Sequence, residues 1–256
     1  MTSFTARMLG AAFGIGALFG GIACANEASS ISVTGNIALS TDYMFRGLSQ
    51  TDNSFEVSGG FDATYGIFYL GTWASNLDFS PAPNAPMELD IYGGIRPTFG
   101  PISTDFGMIF YNYPYARDDK LGAGEYDYFE GYGKVSASPI TNLTVGASMF
   151  YSPEFFGHTG SAEYYEGNAS YVLTKALSLS GAFGYQHIDD VSGILNLGIS
   201  DNYTVWNVGG TYTIGTFSLD LRYWDTDVSG KDPIAVYYTS RDNAKGRFVF
   251  TVKKAL

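Results

Sequence analysis

Ten charged side chains sit where alternation would bring them to one side of a sheet: Asp42, Arg46, Glu56, Asp62, Glu88, Asp90, Arg96, Asp105, Asp220 and Arg222. Each lies in a segment where polar and apolar residues alternate, and a strand sends successive side chains to opposite faces. Carboxylates gathered around an enclosed water path favour cations. The same residues packed together would instead pair Arg46, Arg96 and Arg222 with neighbouring carboxylates and serve structure alone. Both readings follow from the spacing.

Residues with catalytic potential are few. The only histidines are His158, in the loop-like run Phe156-Gly157-His158-Thr159, and His187, at a strand end before Asp189 and Asp190. A rim-active lipid hydrolase would set a histidine between a serine and a carboxylate, and His187 with Asp189 is the one pair that suits such a role. No nucleophile motif adjoins it. No histidine pair, cysteine set or acidic calcium loop has metal-ligand spacing, so no cofactor or metal is expected. Gly35, Gly47, Gly59-Gly60, Gly71 and Gly93-Gly94 fall in strands and turns and are not phosphate loops.

The elements that must position these residues are strands. In residues 54–65, Phe55, Val57, Gly59, Phe61, Ala63 and Tyr65 share one face, while Ser54, Glu56, Ser58, Gly60, Asp62 and Thr64 share the other. The first segment repeats the pattern, with Val33, Ile37, Leu39, Tyr43 and Phe45 opposed to Thr34, Asn36, Ser40, Asp42 and Arg46. The periodicity predicts strands over 31–46, 54–65, 67–77, 87–99, 102–113, 126–137, 143–152, 162–173, 177–187, 203–213, 217–225 and 246–253. Most have about the 9–11 residues that a tilted transmembrane strand needs. Aromatics on both faces of 67–77, 126–137 and 162–173 leave roughly ten to fourteen strands open, with twelve preferred.

The connections alternate in length. Gly66, Gly100-Pro101, residues 139–142, Thr174-Lys175-Ala176 and Ile214-Gly215 are brief turns; the connections near 47–53, 78–86, 114–125, 153–161, 188–202 and 226–245 are longer. This rhythm predicts an all-β chain forming a single transmembrane antiparallel β-barrel, with short turns and both termini at the periplasmic rim. A soluble β-sandwich can also be rich in aromatics and glycine, but it has no reason to alternate its loop lengths.

Composition agrees. The 256 residues hold 20 Tyr, 19 Phe, 3 Trp and 32 Gly, and only 15% are charged. The mean hydropathy is +0.00, unlike a helical membrane protein. With 25 acidic against 14 basic residues the net charge is −11, which disfavours nucleic acid as a partner. Arg7, an apolar run over 9–22 and Ala23-Cys24-Ala25 read as a cleaved signal peptide over 1–25, with the barrel over 26–256. Cys24 is the only cysteine, so the mature chain would carry no thiol. The rival reading makes Cys24 a lipidated residue, although Gly21 stands where such a signal has Leu. Outside the leader no stretch approaches the ~18 apolar residues of a spanning helix.

Residues 40–51, Ser-Thr-Asp-Tyr-Met-Phe-Arg-Gly-Leu-Ser-Gln-Thr, resemble the N-terminal signature of the TorF-type porin family of proteobacteria. Gly71-Thr72-Trp73-Ala74-Ser75-Asn76 and residues 88–94 resemble its next two blocks, and the likeness is looser after residue 95. The resemblance implies an outer-membrane barrel with a porin role, and it supplies no substrate and no catalytic residues. The chain departs from the pattern at its end: such barrels finish on an aromatic residue, whereas this one ends on Leu256 after Phe248, Phe250 and Val252.

The expectation is a channel in the bacterial outer membrane that passes ions or small polar solutes and leans toward cations. The alternatives are a plugged structural or binding barrel and, further off, the rim-active hydrolase. Expected partners are outer-membrane lipid, the assembly machinery and a second copy of the chain in a homo-oligomer. Arg46, directly before Gly47, is expected to pair with lumen carboxylates and hold the first long loop over the pore.

Overall fold

The computed structural model describes residues 30–79, 85–116, 126–189, 202–228 and 242–256. The expected leader, including Cys24, lies outside them. Fifteen strands follow in order: β1 (Ser32–Ser40), β2 (Met44–Phe45), β3 (Leu48–Ser49), β4 (Glu56–Tyr65), β5 (Phe68–Asn76), β6 (Met87–Ile95), β7 (Thr98–Phe99), β8 (Ile102–Asn112), β9 (Tyr128–Ile140), β10 (Leu143–Ser152), β11 (Ala162–Val172), β12 (Leu177–Ile188), β13 (Asn202–Ile214), β14 (Phe217–Thr226) and β15 (Arg247–Ala255). Twelve of them form the wall; β2 and β3 pair only with each other, and β7 is a stub beside β8.

Every wall strand pairs antiparallel with its neighbour in the chain. The pairing of the last strand with the first closes the ring. The last strand meets the first through Ser40↔Thr251 and Asn36↔Ala255. Strands β6 and β8 meet through Tyr92↔Ile109 and Asp90↔Tyr111. Closure leaves no unpaired edge, which is what allows a sheet to stand in lipid.

The surface is inverted relative to a soluble protein. Phe61, Leu70, Met108, Phe183, Val208 and Leu221 point outward and are each more than half exposed. Serines, carboxylates and tyrosines of opposite parity face in. Two aromatic belts bound this sleeve: Tyr65, Phe68, Phe99, Tyr171, Tyr212 and Phe217 by the short turns, and Phe55, Tyr151, Tyr165, Tyr185 and Phe248 by the long loops. Ten residues rising ~3.3 Å each at a tilt of roughly 40° span about 25 Å, the height of the apolar band of such barrels.

The short turns fall where the alternation ends: 66–67, 100–101, 141–142, 174–176 and 215–216. Both ends of the described chain lie at that rim, where the Leu256 amide donates to the Gly35 carbonyl at 2.9 Å. Three boundaries differ from expectation. First, β1 stops at Ser40 instead of 46: β4 begins at Glu56, directly opposite Ser40, and the chain leaves β15, which runs on past Thr251 to Arg247. Second, the predicted strand 87–99 breaks at Arg96-Pro97, where proline offers no amide to the ladder. Third, β9 runs on through Pro139 to Ile140, and the turn is Thr141-Asn142 alone, with Asn142 at φ 68°.

The two-faced aromatic strands also resolve. Tyr69 is buried in the lumen while Phe68 and Leu70 are exposed outside, and Tyr128 and Tyr132 face in while Phe129 faces out.

Candidate functional site: the lumen and its inward-folded first loop

Beyond Ser40 the chain turns into the barrel instead of away from it. Residues 41–53 form a small hairpin of β2 and β3, in which Tyr43, Met44, Phe45, Leu48, Ser49 and Thr51 are all buried. Its tip is tight. Arg46 has φ 46° and Gly47 φ 83°, and a Cβ on Gly47 would lie 2.5 Å from methyl carbons of Val205 and Thr226 on the wall. Glycine is required there both by conformation and by contact.

Two charged groups fasten the loop. Asp42 accepts from Ser49 Oγ at 2.6 Å, from Thr51 Oγ1 at 2.9 Å and from Arg247 Nη1 on β15 at 2.8 Å. Arg46 reaches the opposite wall, where Nη2 donates to Glu130 Oε2 on β9 at 2.6 Å and Nη1 to Gln186 Oε1 on β12 at 2.8 Å. Its guanidinium also lies over the rings of Tyr164 (4.5 Å), Phe45 (4.8 Å) and Phe150 (5.3 Å). Asp42 and Arg46 therefore face the lumen, but from a loop, which corrects their assignment to the first strand.

Aromatic packing completes the plug. Tyr43 meets Trp73 edge-on at 5.3 Å, Phe45 meets Tyr111 at 5.9 Å, and Tyr111 stacks on Tyr128 at 4.4 Å. Phe155 and Phe156, from the connection after β10, extend this layer across Tyr128, Tyr113 and Tyr126. These contacts occupy the half of the lumen nearest the long loops.

The other expected residues lie on the wall, all facing in. Glu56 is buried at the start of β4, beside Ser58 and Ser75. Glu88 accepts from the Tyr43 hydroxyl at 2.7 Å, whereas neither oxygen of Asp90 has a partner among the described residues. Asp62 accepts from Tyr92 at 2.8 Å. Arg96 Nε donates to Asp105 at 3.1 Å and lies 3.8 Å over the Tyr69 ring, whose hydroxyl donates to Asp105 at 2.6 Å. Arg222 bonds Asn207 at 2.7 Å, Ser180 Oγ at 2.8 Å and Asp220 at 3.2 Å, while Thr211 donates to Asp220 at 2.7 Å. The ten residues do not converge on one point. They split into a loop-side group (Asp42, Arg46, Glu56, Glu88, Asp90) and a turn-side group.

The turn-side lumen is looser. Asn36, Asp62, Thr64, Arg96, Asn168 and Asn207 face in yet stay half-exposed. A vestibule thus opens at the short-turn rim and narrows toward the plug.

Sequence reading missed Glu130, Lys134, Glu166, Gln186 and Arg247. Glu130 and Lys134 share parity with Tyr128 and Tyr132, and Glu166 with Tyr164. The signal was present but was obscured by tyrosines, which suit either face.

At the rim, His187 Nε2 lies 3.4 Å from Asp189 Oδ1. Ser161 Oγ donates to the other oxygen of Asp189 at 2.8 Å. The carboxylate therefore sits between serine and histidine, the reverse of a hydrolytic triad, in which histidine must accept the serine proton.

A closed twelve-strand antiparallel barrel with an apolar sleeve and a polar lumen is the fold of the outer-membrane porins. The chain belongs to the bacterial family Gcw_chp, described as a bacterial protein of unknown function, whose match covers residues 24–256. That description does not carry the TorF-type name. Among solved structures the barrel is similar to the KdgM porin, with TM-score 0.54, 8% identity and coverage of 87% of this chain and 98% of that one. It is likewise similar to the NanC porin, with TM-score 0.54, 9% identity and coverage of 88% and 98%. Identities this low speak to the fold alone. No curated protein matches the sequence.

Proposed function

We propose that the protein is a diffusion channel of the bacterial outer membrane for ions or small polar solutes. In this reading the short turns and both termini face the periplasm, the leader is removed on export, and the first loop narrows the outer mouth. The single observation that carries it is the polar vestibule leading to an acid-lined wall. Among the described residues Glu56 and Glu88 make no ion pair, while Arg46, Arg96, Arg222 and Arg247 are each held by a carboxylate and the Lys134 ammonium lies over the Tyr132 and Phe150 rings. Unpaired carboxylates in an enclosed path favour cations over anions.

A second reading rests on the plug itself. If the docked first loop never leaves, the barrel is a closed binding or structural protein. Solute entry into liposomes separates the two. A channel lets small polar solutes in at rates that fall with solute size, and a permanently plugged barrel leaves the liposomes as tight as empty ones.

A further inference from the structure

Asp90 is the anomaly of the lumen. The residue is 0% exposed, so bulk solvent does not reach it, and both carboxylate oxygens lack a hydrogen-bond partner among the described residues. Its cross-strand neighbours are Trp73 on β5 and Tyr111 on β8. The first loop covers both of them, Tyr43 on Trp73 and Phe45 on Tyr111.

The nearby donors are turned elsewhere: the Tyr43 hydroxyl to Glu88 and the Tyr111 hydroxyl to Glu130. The titratable groups facing Asp90 are Glu88 on its own strand, Glu130 on β9, Tyr43 of the loop, Tyr111 on β8 and Tyr113 just past it. Arg46 is committed to Glu130 and Gln186. An ionised carboxylate with no donor, no contact with solvent and two acidic neighbours is strongly disfavoured, whereas the neutral acid carries no charge to bury.

We propose that docking of the first loop is coupled to the binding of one proton by Asp90, which makes the loop a proton-linked plug. The docked state holds one proton more than the undocked state. Docking is therefore favoured as pH falls and lost as pH rises, when Asp90 ionises and must be hydrated from the vestibule. The claim concerns the position of the loop and stands or falls apart from conduction.

The test uses the folded full chain in detergent with Cys24→Ser and a reporter Leu48→Cys, since Leu48 is buried in the docked loop. The rate of labelling by a water-soluble maleimide is divided by that of Lys175→Cys, an exposed position in a short turn at the opposite rim, to remove the thiol's own ionisation. The normalised rate should rise with pH by up to about tenfold per unit, the limit for one coupled proton. Adding Asp90→Asn should keep the reporter protected at every pH. A flat ratio with Asp90 present, or a pH dependence that survives Asp90→Asn, overturns the proposal. If the reporter variant does not fold, the infrared carbonyl band of a protonated acid in D2O serves instead. Its loss in Asp90→Asn supports the proposal, and a spectrum unchanged by that substitution refutes it.

Discussion

Arg46 is the residue on which the lumen plug depends. It is buried, and it spans from the loop to the Glu130 carboxylate on β9 and the Gln186 side-chain carbonyl on β12. Removing one partner of a buried ion pair strands the other charge. Arg46→Ala should therefore cost about 3–5 kcal/mol of barrel stability, read as a lower denaturant midpoint for loss of the heat-modifiable form. Adding Glu130→Gln should recover part of that loss, because the stranded charge is then gone. An Arg46→Ala protein as stable as the parent would show that the pair anchors nothing. That Arg46 meets a lumen carboxylate was legible from its parity with Asp42. Which carboxylate it meets was not, since Glu130 lies 84 residues away in a strand whose tyrosines blur the alternation.

At the scale of elements, the strands were readable and the first loop was not. Alternation over β4 or β14 is imposed by two unlike solvents, lipid outside and a polar lumen inside, so it survives in the sequence. Residues 41–46 continue the same alternation for a different reason. Tyr43 and Phe45 are apolar because they fill the plug, and Asp42 and Arg46 are charged because they fasten it. A strand and an inward hairpin thus leave the same local trace.

This view predicts that the loop is dispensable for the wall. Replacing residues 42–53 with a short turn should leave a folded barrel whose single-channel conductance exceeds that of the parent. A replacement that folds without gaining conductance would remove the loop as the constriction. The closing strand is not dispensable. β15 pairs with both β1 and β14, so deleting residues 248–256 opens two edges in lipid. No heat-modifiable, membrane-integrated form should remain; its persistence would show that closure does not need this strand.

For the molecule as a whole, the apolar sleeve, the two aromatic belts and the asymmetric lumen define a direction. The vestibule opens at the turn-side rim, and the plug lies at the loop-side rim. Fold class was legible from composition and loop rhythm together, because a net charge of −11 with only 15% charged residues and many aromatics leaves few other architectures. Lumen width was not legible, because it depends on how far the first loop folds inward.

The central claim is an acid-lined path through the barrel. It is tested most directly by single-channel recording of the purified, refolded protein in a planar bilayer, with the reversal potential measured under a salt gradient. The account predicts discrete steps and a reversal potential displaced toward the cation equilibrium, with the displacement reduced in Glu56→Gln/Glu88→Gln. An anion-leaning reversal potential, or silence from protein shown to be folded and inserted, would contradict it.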